Sequence, residues 1–181
     1  IEFCLRHACA HGDDALLDLV KLTLTRMAER GLYDQLGGGF YRYCVDRQWV
    51  IPHFEKMLYD NGPLLRLYSD MWLVDPQPLY ARVVADTAGW AMREMQSAAG
   101  GYYSTLDADS EHEEGKFYVW SPREVEAALT AEEYAVAAPH SGLGAPPKFE
   151  DRDWHLQVTV PPAQAARQLA IPPERAQTLL D

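Results

Sequence analysis

Asp13-Asp14-Ala15-Leu16-Leu17-Asp18-Leu19-Val20-Lys21-Leu22-Thr23-Leu24-Thr25-Arg26-Met27-Ala28-Glu29-Arg30 is the stretch that decides the fold. Leu16, Leu17, Val20, Leu24, Met27 and Ala28 recur at helical spacing, so one face is apolar and the other charged. Asp13 offers a carboxylate to the free amides of a first turn, and Gly31 reads as the stop. Working outward, Pro63 suits the first turn of a second helix carrying Leu64, Leu67, Tyr68, Met71 and Trp72, which ends near Asp75-Pro76. A third helix is predicted from Pro78 to Ser97, striped by Tyr80, Val83, Val84, Thr87, Ala88, Ala91 and Met95 and closed by Ala99-Gly100-Gly101.

Between these helices lie shorter signals. The aromatic and β-branched runs of Gly37 to Ile51 flank a polar turn and predict a hairpin. A second hairpin is expected where Gly101-Tyr102-Tyr103-Ser104 and Lys116-Phe117-Tyr118-Val119-Trp120 bracket the acidic loop Asp107 to Glu114. Ser121-Pro122-Arg123-Glu124 reads as an N-cap, a first-turn proline and a capping-box glutamate opening a helix through Leu129. Proline, glycine and charge from Ala137 to Pro162 predict irregular structure, with helical pattern resuming at Ala163. Long helices with elaborated loops, and no alternation of strands and helices, indicate a mainly α fold of antiparallel helix pairs. One layer of such pairs leaves apolar faces bare, so residues 1–181 read as a fragment of a larger helical ring.

Composition narrows the function. A chain of 181 residues with 48% hydrophobic content can build a core. No run approaches the uninterrupted apolar length of a membrane-spanning helix, and a soluble, cytoplasmic protein is expected. The start at Ile1 has neither Met nor a secretory layout and reads as a cut end. Cys4, Cys9 and Cys44 are odd in number without Cys-x-x-Cys spacing, which argues for a reducing compartment and against a disulfide framework or structural zinc. A net charge of −11 disfavours nucleic acid and anionic membrane as partners.

The residues with chemistry concentrate in two places. His53-Phe54-Glu55-Lys56-Met57-Leu58-Tyr59-Asp60 gathers an imidazole, carboxylates, an amine and a phenol. If a helix begins near Pro52, Glu55 and Tyr59 share a face and His53 sits by free amides; the plain alternative is capping and surface ion pairs. Asp107, Asp109 and Glu111 alternate along the acidic loop, where mutual repulsion raises proton affinity unless a cation or hydroxyls intervene. That loop suits acid-base work or sugar binding, or is a solvated turn. It fails as an EF-hand, with His112 where Gly belongs and Tyr118 where the bidentate Glu belongs. His-x-Glu without Pro-Cys-x-x-Cys is no zinc deaminase, and His-Glu-x-x-His is absent, so no metal and no cofactor is expected. Gly37-Gly38-Gly39 matches neither phosphate signature and instead permits positive φ or close backbone approach, aiming Tyr41, Arg42 and Tyr43.

Gly31 to Phe40, Pro52 to Asn61, and Leu106 to Glu111 with Glu114 to Trp120 together resemble the signature blocks of the thioredoxin-domain-containing family typified by spermatogenesis-associated protein 20. Lys148-Phe149-Glu150 and Trp154-His155-Leu156 resemble a later block. The resemblance implies an (α/α)6 toroid similar to N-acylglucosamine 2-epimerases and six-hairpin glycosidases, of which this chain holds a part. The family's thioredoxin-like domain and later hairpins are not in this sequence. The resulting expectation is a carbohydrate-active or sugar-binding toroid, epimerase-like or glycosidase-like, with a small-molecule ligand, a sugar among the candidates. His53 would carry protons, and Glu55, Asp107 and Asp109 would act as acid-base or hydroxyl-orienting groups. Arg42 and Lys56 would hold an anionic substituent, while Tyr43, Tyr59, Glu111 and Trp120 would border the site. The alternative is a non-catalytic ligand-sensing or interaction scaffold partnered with the missing thioredoxin-like domain. A metal-dependent hydrolase using the Asp107 loop is a third reading.

Overall fold

The computed structural model describes residues 1–180 and is mainly helical, with eight α-helices joined by short strand pairs. Helix α1 (Glu2–His11) turns at Gly12 into α2 (Asp14–Glu29), and the Asp13 side chain accepts from the Leu16 amide as its N-cap. α2 stops two residues before Gly31, because Arg30 turns extended. Helix α3 (Leu58–Val74) and α4 (Pro78–Trp90) form the next hairpin across a three-residue link. The faces of these four helices bury Leu5, Val20, Leu24, Leu67, Met71 and Val83 around the Tyr33, Phe40 and Tyr68 rings. The Tyr68 hydroxyl donates to the Leu24 carbonyl at 2.6 Å, tying the two hairpins together.

Three expectations for this half change. α3 begins at Leu58 rather than near Pro63, which sits in its second turn. The chain stays extended through Met57 because β3 (Lys56–Met57) pairs antiparallel with β4 (Thr105–Leu106). Glu55 and Tyr59 therefore do not share a helical face. After α4 the chain widens into a π-helical turn, Ala91–Met95, rather than continuing as α-helix to Ser97; such turns favour functional sites.

The loop pairings also differ in detail. β1 (Tyr43–Cys44) pairs with β2 (Pro52–His53), as the first hairpin requires. The second hairpin does not join Gly101–Ser104 to Lys116–Trp120. Instead the acidic loop folds on itself, β5 (Asp109–Ser110) against β6 (Glu113–Glu114), with Glu111 and His112 both at positive φ in the two-residue turn. β7 (Val119–Trp120) pairs with β8 (Trp154–His155), more than thirty residues on. That pairing brings the C-terminal third back to the end of α2, where the Val158 amide donates to the Glu29 carbonyl at 2.6 Å.

The capping box at Ser121 forms as read and opens α5 (Pro122–Ala128). A second box, Thr130 with Glu133, opens α6 (Ala131–Ser141), so the irregular stretch expected from Ala137 begins at Gly142 instead and runs, apart from β8, to α7 as expected. Pro139 lies in the final turn of α6, ahead of the left-handed Gly142 that ends it. Helices α7 (Pro162–Leu169) and α8 (Pro173–Leu180) pack on α6 through Val136, Ala165, Ala166 and Ala176. No helix among the described residues is long and apolar enough to cross a membrane.

Candidate functional site

The residues of the His53 block divide between the surface and the core, because alternate residues of an extended segment face opposite ways. Outside, His53 Nδ1 lies 2.7 Å from Glu114 Oε1, and its Nε2 lies 3.9 Å from Glu55 Oε2. Glu55 accepts from Arg42 at 3.1 Å and from the Thr105 hydroxyl at 3.4 Å. The Tyr43 ring stacks on His53 with centroids 5.1 Å apart, and the Arg42 guanidinium lies 5.7 Å from the Tyr59 ring centroid. Arg42, Tyr43, His53, Glu55 and Tyr59 thus form one solvent-facing group, joined by Glu114.

The acidic hairpin meets this group through Glu114. Asp109 stands opposite Glu114 in the register and is exposed. Asp107 accepts from the Asp109 amide at 3.1 Å, a local turn contact. Glu111 pairs with Lys116 at 2.8 Å, and that ammonium holds its carboxyl below the usual range. The cation that relieves repulsion at Glu111 is a lysine of the same loop region.

Lys56 goes inward, where it has no solvent exposure and cannot meet a substituent at the surface. Its Nζ donates to Asp34 Oδ2 at 2.7 Å and to the Gly38 carbonyl at 2.8 Å. The rings of Tyr118, Tyr41 and Trp90 surround it with centroids at 4.9, 5.0 and 5.3 Å. Burial pulls its pKa below the ordinary value, against Asp34, which favours the charged form. Asp34 Oδ1 accepts from the Leu36 and Gly37 amides, so this ion pair organises the glycine loop. Gly39, at φ 81°, lies where a Cβ would come 2.8 Å from the Trp90 ring; the close approach read from the glycine run is present here.

Against this pair opens a cavity of about 450 Å³, lined by Asp34, Gln35, Glu94, Tyr118, Trp120 and His155, with Leu36, Gly37, Phe117 and Leu156 completing the wall. Four separate segments supply it: the glycine loop, the π-helical turn, the β7 region and β8. The turn sets Arg93 to donate to both the Gly37 carbonyl at 2.8 Å and Glu94 Oε1 at 2.6 Å. His155 is buried, its Nε2 2.9 Å from the Gly31 carbonyl, and burial holds its pKa below 6.5. The Tyr41 hydroxyl is buried without a partner, and burial first, then Asp34, Tyr118 and Glu94, pushes the phenol well above its ordinary value.

Of the residues picked from sequence, Trp120 lines this cavity and Lys56 lies behind its wall. Asp34, Gln35, Glu94, Tyr118 and His155 were not picked as site residues. Asp34, Gln35, Tyr118 and His155 stand inside resembling blocks, a usable signal; Glu94 owes its place to a π-helical widening that no residue pattern announces. Among the cysteines, burial and then Asp46 push the Cys44 thiol up to about 12, so it is not a thiolate nucleophile.

No family model matches the chain. Spermatogenesis-associated protein 20 of Mus musculus is 37% identical over 134 residues, which is 71% of this chain and 17% of that protein, and the Homo sapiens protein gives the same figures. An uncharacterised protein of Caenorhabditis elegans is 39% identical over 142 residues, 19% of its length. The chain therefore spans about a fifth of the curated relatives it matches. Over 71% of its length it is homologous to spermatogenesis-associated protein 20.

Proposed function

We propose that this chain supplies one wall of a sugar-binding site in a carbohydrate-active helical toroid, of which its hairpins α1–α2 and α3–α4 are ring elements. The observation that carries the reading is the cavity over the Lys56–Asp34 pair, where aromatic side chains stand beside two carboxylates, an amide and a neutral imidazole. Sugars need that mixture: rings to stack on, and fixed polar groups to bond hydroxyls. Epimerase-like or glycosidase-like chemistry fits the carboxylates, which can give and take protons. In this reading the His53–Glu55–Glu114 group, outside the cavity lining, is a solvent-facing proton relay that carries the catalytic role expected of His53.

The test is calorimetric titration of the full-length protein with neutral mono- and disaccharides. Saturable binding, weakened about tenfold by Trp120→Ala through loss of one stacking ring, is the expected result. No saturable binding by any sugar would defeat the reading.

A second reading, an interaction scaffold for a thioredoxin-like domain, draws on Phe3, Leu19, Leu22 and Leu73, large apolar side chains left exposed on α1, α2 and α3. Replacing these by Ser in the full-length protein would then loosen domain association without touching sugar binding.

A further inference from the structure

A second cleft, of about 160 Å³, is lined by the ends of α2 and α6 and by the chain leading into β8; it shares only the buried His155 with the cavity over Lys56 and Asp34. The chain carries a net charge of −11, yet the charged residues of this wall besides His155 are Arg30 and Lys148, and no carboxylate lines it. Neither cation makes an ion pair among the described residues. Arg30 Nη1 donates to Gln157 Oε1 at a long 3.4 Å, which leaves the Nε and Nη2 edge of the guanidinium uncommitted. The same bond orients the Gln157 amide. Its Nε2, 3.6 Å from where a Gly142 Cβ would stand, donates to no acceptor among the described residues. Lys148 is exposed.

Nearby carboxylates are engaged elsewhere. Glu29 pairs with Arg26 at 3.3 Å, Glu150 pairs with Arg152 at 3.4 Å, and Asp46 accepts from the Val50 and Ile51 amides at 2.9 and 2.6 Å. The free carbonyls ending α2 account for a cation at Arg30, but not for Lys148, which lies in the irregular stretch between α6 and β8. We infer that this cleft binds a phosphoryl dianion, held by the free edge of Arg30, the Lys148 ammonium and Gln157 Nε2. Two cations match a double negative charge, and the planar guanidinium edge fits two of its oxygens at once. The volume, that of roughly five water molecules, suits one tetrahedral oxyanion.

The experiment is calorimetric titration of the full-length protein with inorganic phosphate, glycerol 3-phosphate and acetate, at one ionic strength and about pH 8, where the phosphoryl group is a dianion. Phosphate should bind saturably and about tenfold more tightly than acetate, as one additional charge-assisted contact warrants. Arg30→Gln and Lys148→Gln should each weaken phosphate about tenfold. Lys148→Gln, at an exposed position, keeps the test decisive should Arg30→Gln disturb the end of α2, and urea midpoints report on the fold of both. Glycerol 3-phosphate binding as tightly as phosphate identifies a phosphomonoester as the ligand; binding about tenfold weaker identifies the free ion. No saturable phosphate binding, acetate binding as tightly as phosphate, or a phosphate affinity that Lys148→Gln leaves unchanged overturns the inference, whatever sugars do at the other cavity.

Discussion

Lys56 Nζ meets Asp34 Oδ2 at 2.7 Å inside a cage of three aromatic rings, with no solvent on the lysine. Lys56→Met keeps the bulk and deletes the charge, stranding Asp34. It should cost about 3 to 5 kcal/mol in urea unfolding, the range for breaking a buried pair. Adding Asp34→Asn should restore part of that loss, because the stranded charge disappears. A Lys56→Met midpoint equal to wild type would show that the pair contributes no stability.

Gly31 has no room for a side chain: a Cβ there would lie 1.9 Å from the Val50 carbonyl oxygen. Gly31→Ala should destabilise by about 3 kcal/mol or more, as forced overpacking does. Gly62, inside α3, faces open space and keeps an ordinary φ. Gly62→Ala should therefore stabilise by about 0.5 to 1 kcal/mol. Thermal melts of the two variants must move in opposite directions.

Asn61 fastens α3 to the glycine loop. Its Oδ1 accepts from the Phe40 amide at 2.7 Å, and its Nδ2 donates to the Phe40 and Met57 carbonyls at 2.9 and 3.0 Å. Asn61→Leu leaves the buried Phe40 amide and carbonyl unpaired and should cost about 3 kcal/mol. Asn61→Asp should be at least as harmful, because a carboxylate then faces two carbonyls. Denaturation midpoints rank the pair.

His155 and His140 are both held below their ordinary 6.5, burial being the first cause in each. The unfolded chain binds protons on these rings more readily than the folded one, so their contribution to stability is whole above 6.5 and drains away as pH falls below it. Urea midpoints should drop on acidification from pH 8 to 5. In His155→Gln with His140→Gln the slope should be shallower. An equal slope in the double variant would assign acid sensitivity to other groups.

The helices were legible where one face of a segment is apolar: α2 and its Asp13 cap appear in the sequence as they do in space. α6 was hidden by Pro139 and the glycines after it, although Thr130 and Glu133 spell the same capping box as Ser121 and Glu124. Short strands gave little signal, since a two-residue pairing such as Val119 with His155 is set by tertiary packing rather than by alternation. The site was half legible for the same reason. Residue type flagged His53 and Lys56, yet only the extended path through β2 and β3 sends one to solvent and the other to the core.

The clasp of His155 on Gly31 and Val158 on Glu29 sets a timetable. A nascent chain that has left the ribosome as far as Ser141 holds α1 to α6, but the β8 wall of the hollow has not yet emerged. The hollow thus closes only when β8 arrives, and until then Tyr41 and Phe54 lack the imidazole that covers their ring edges.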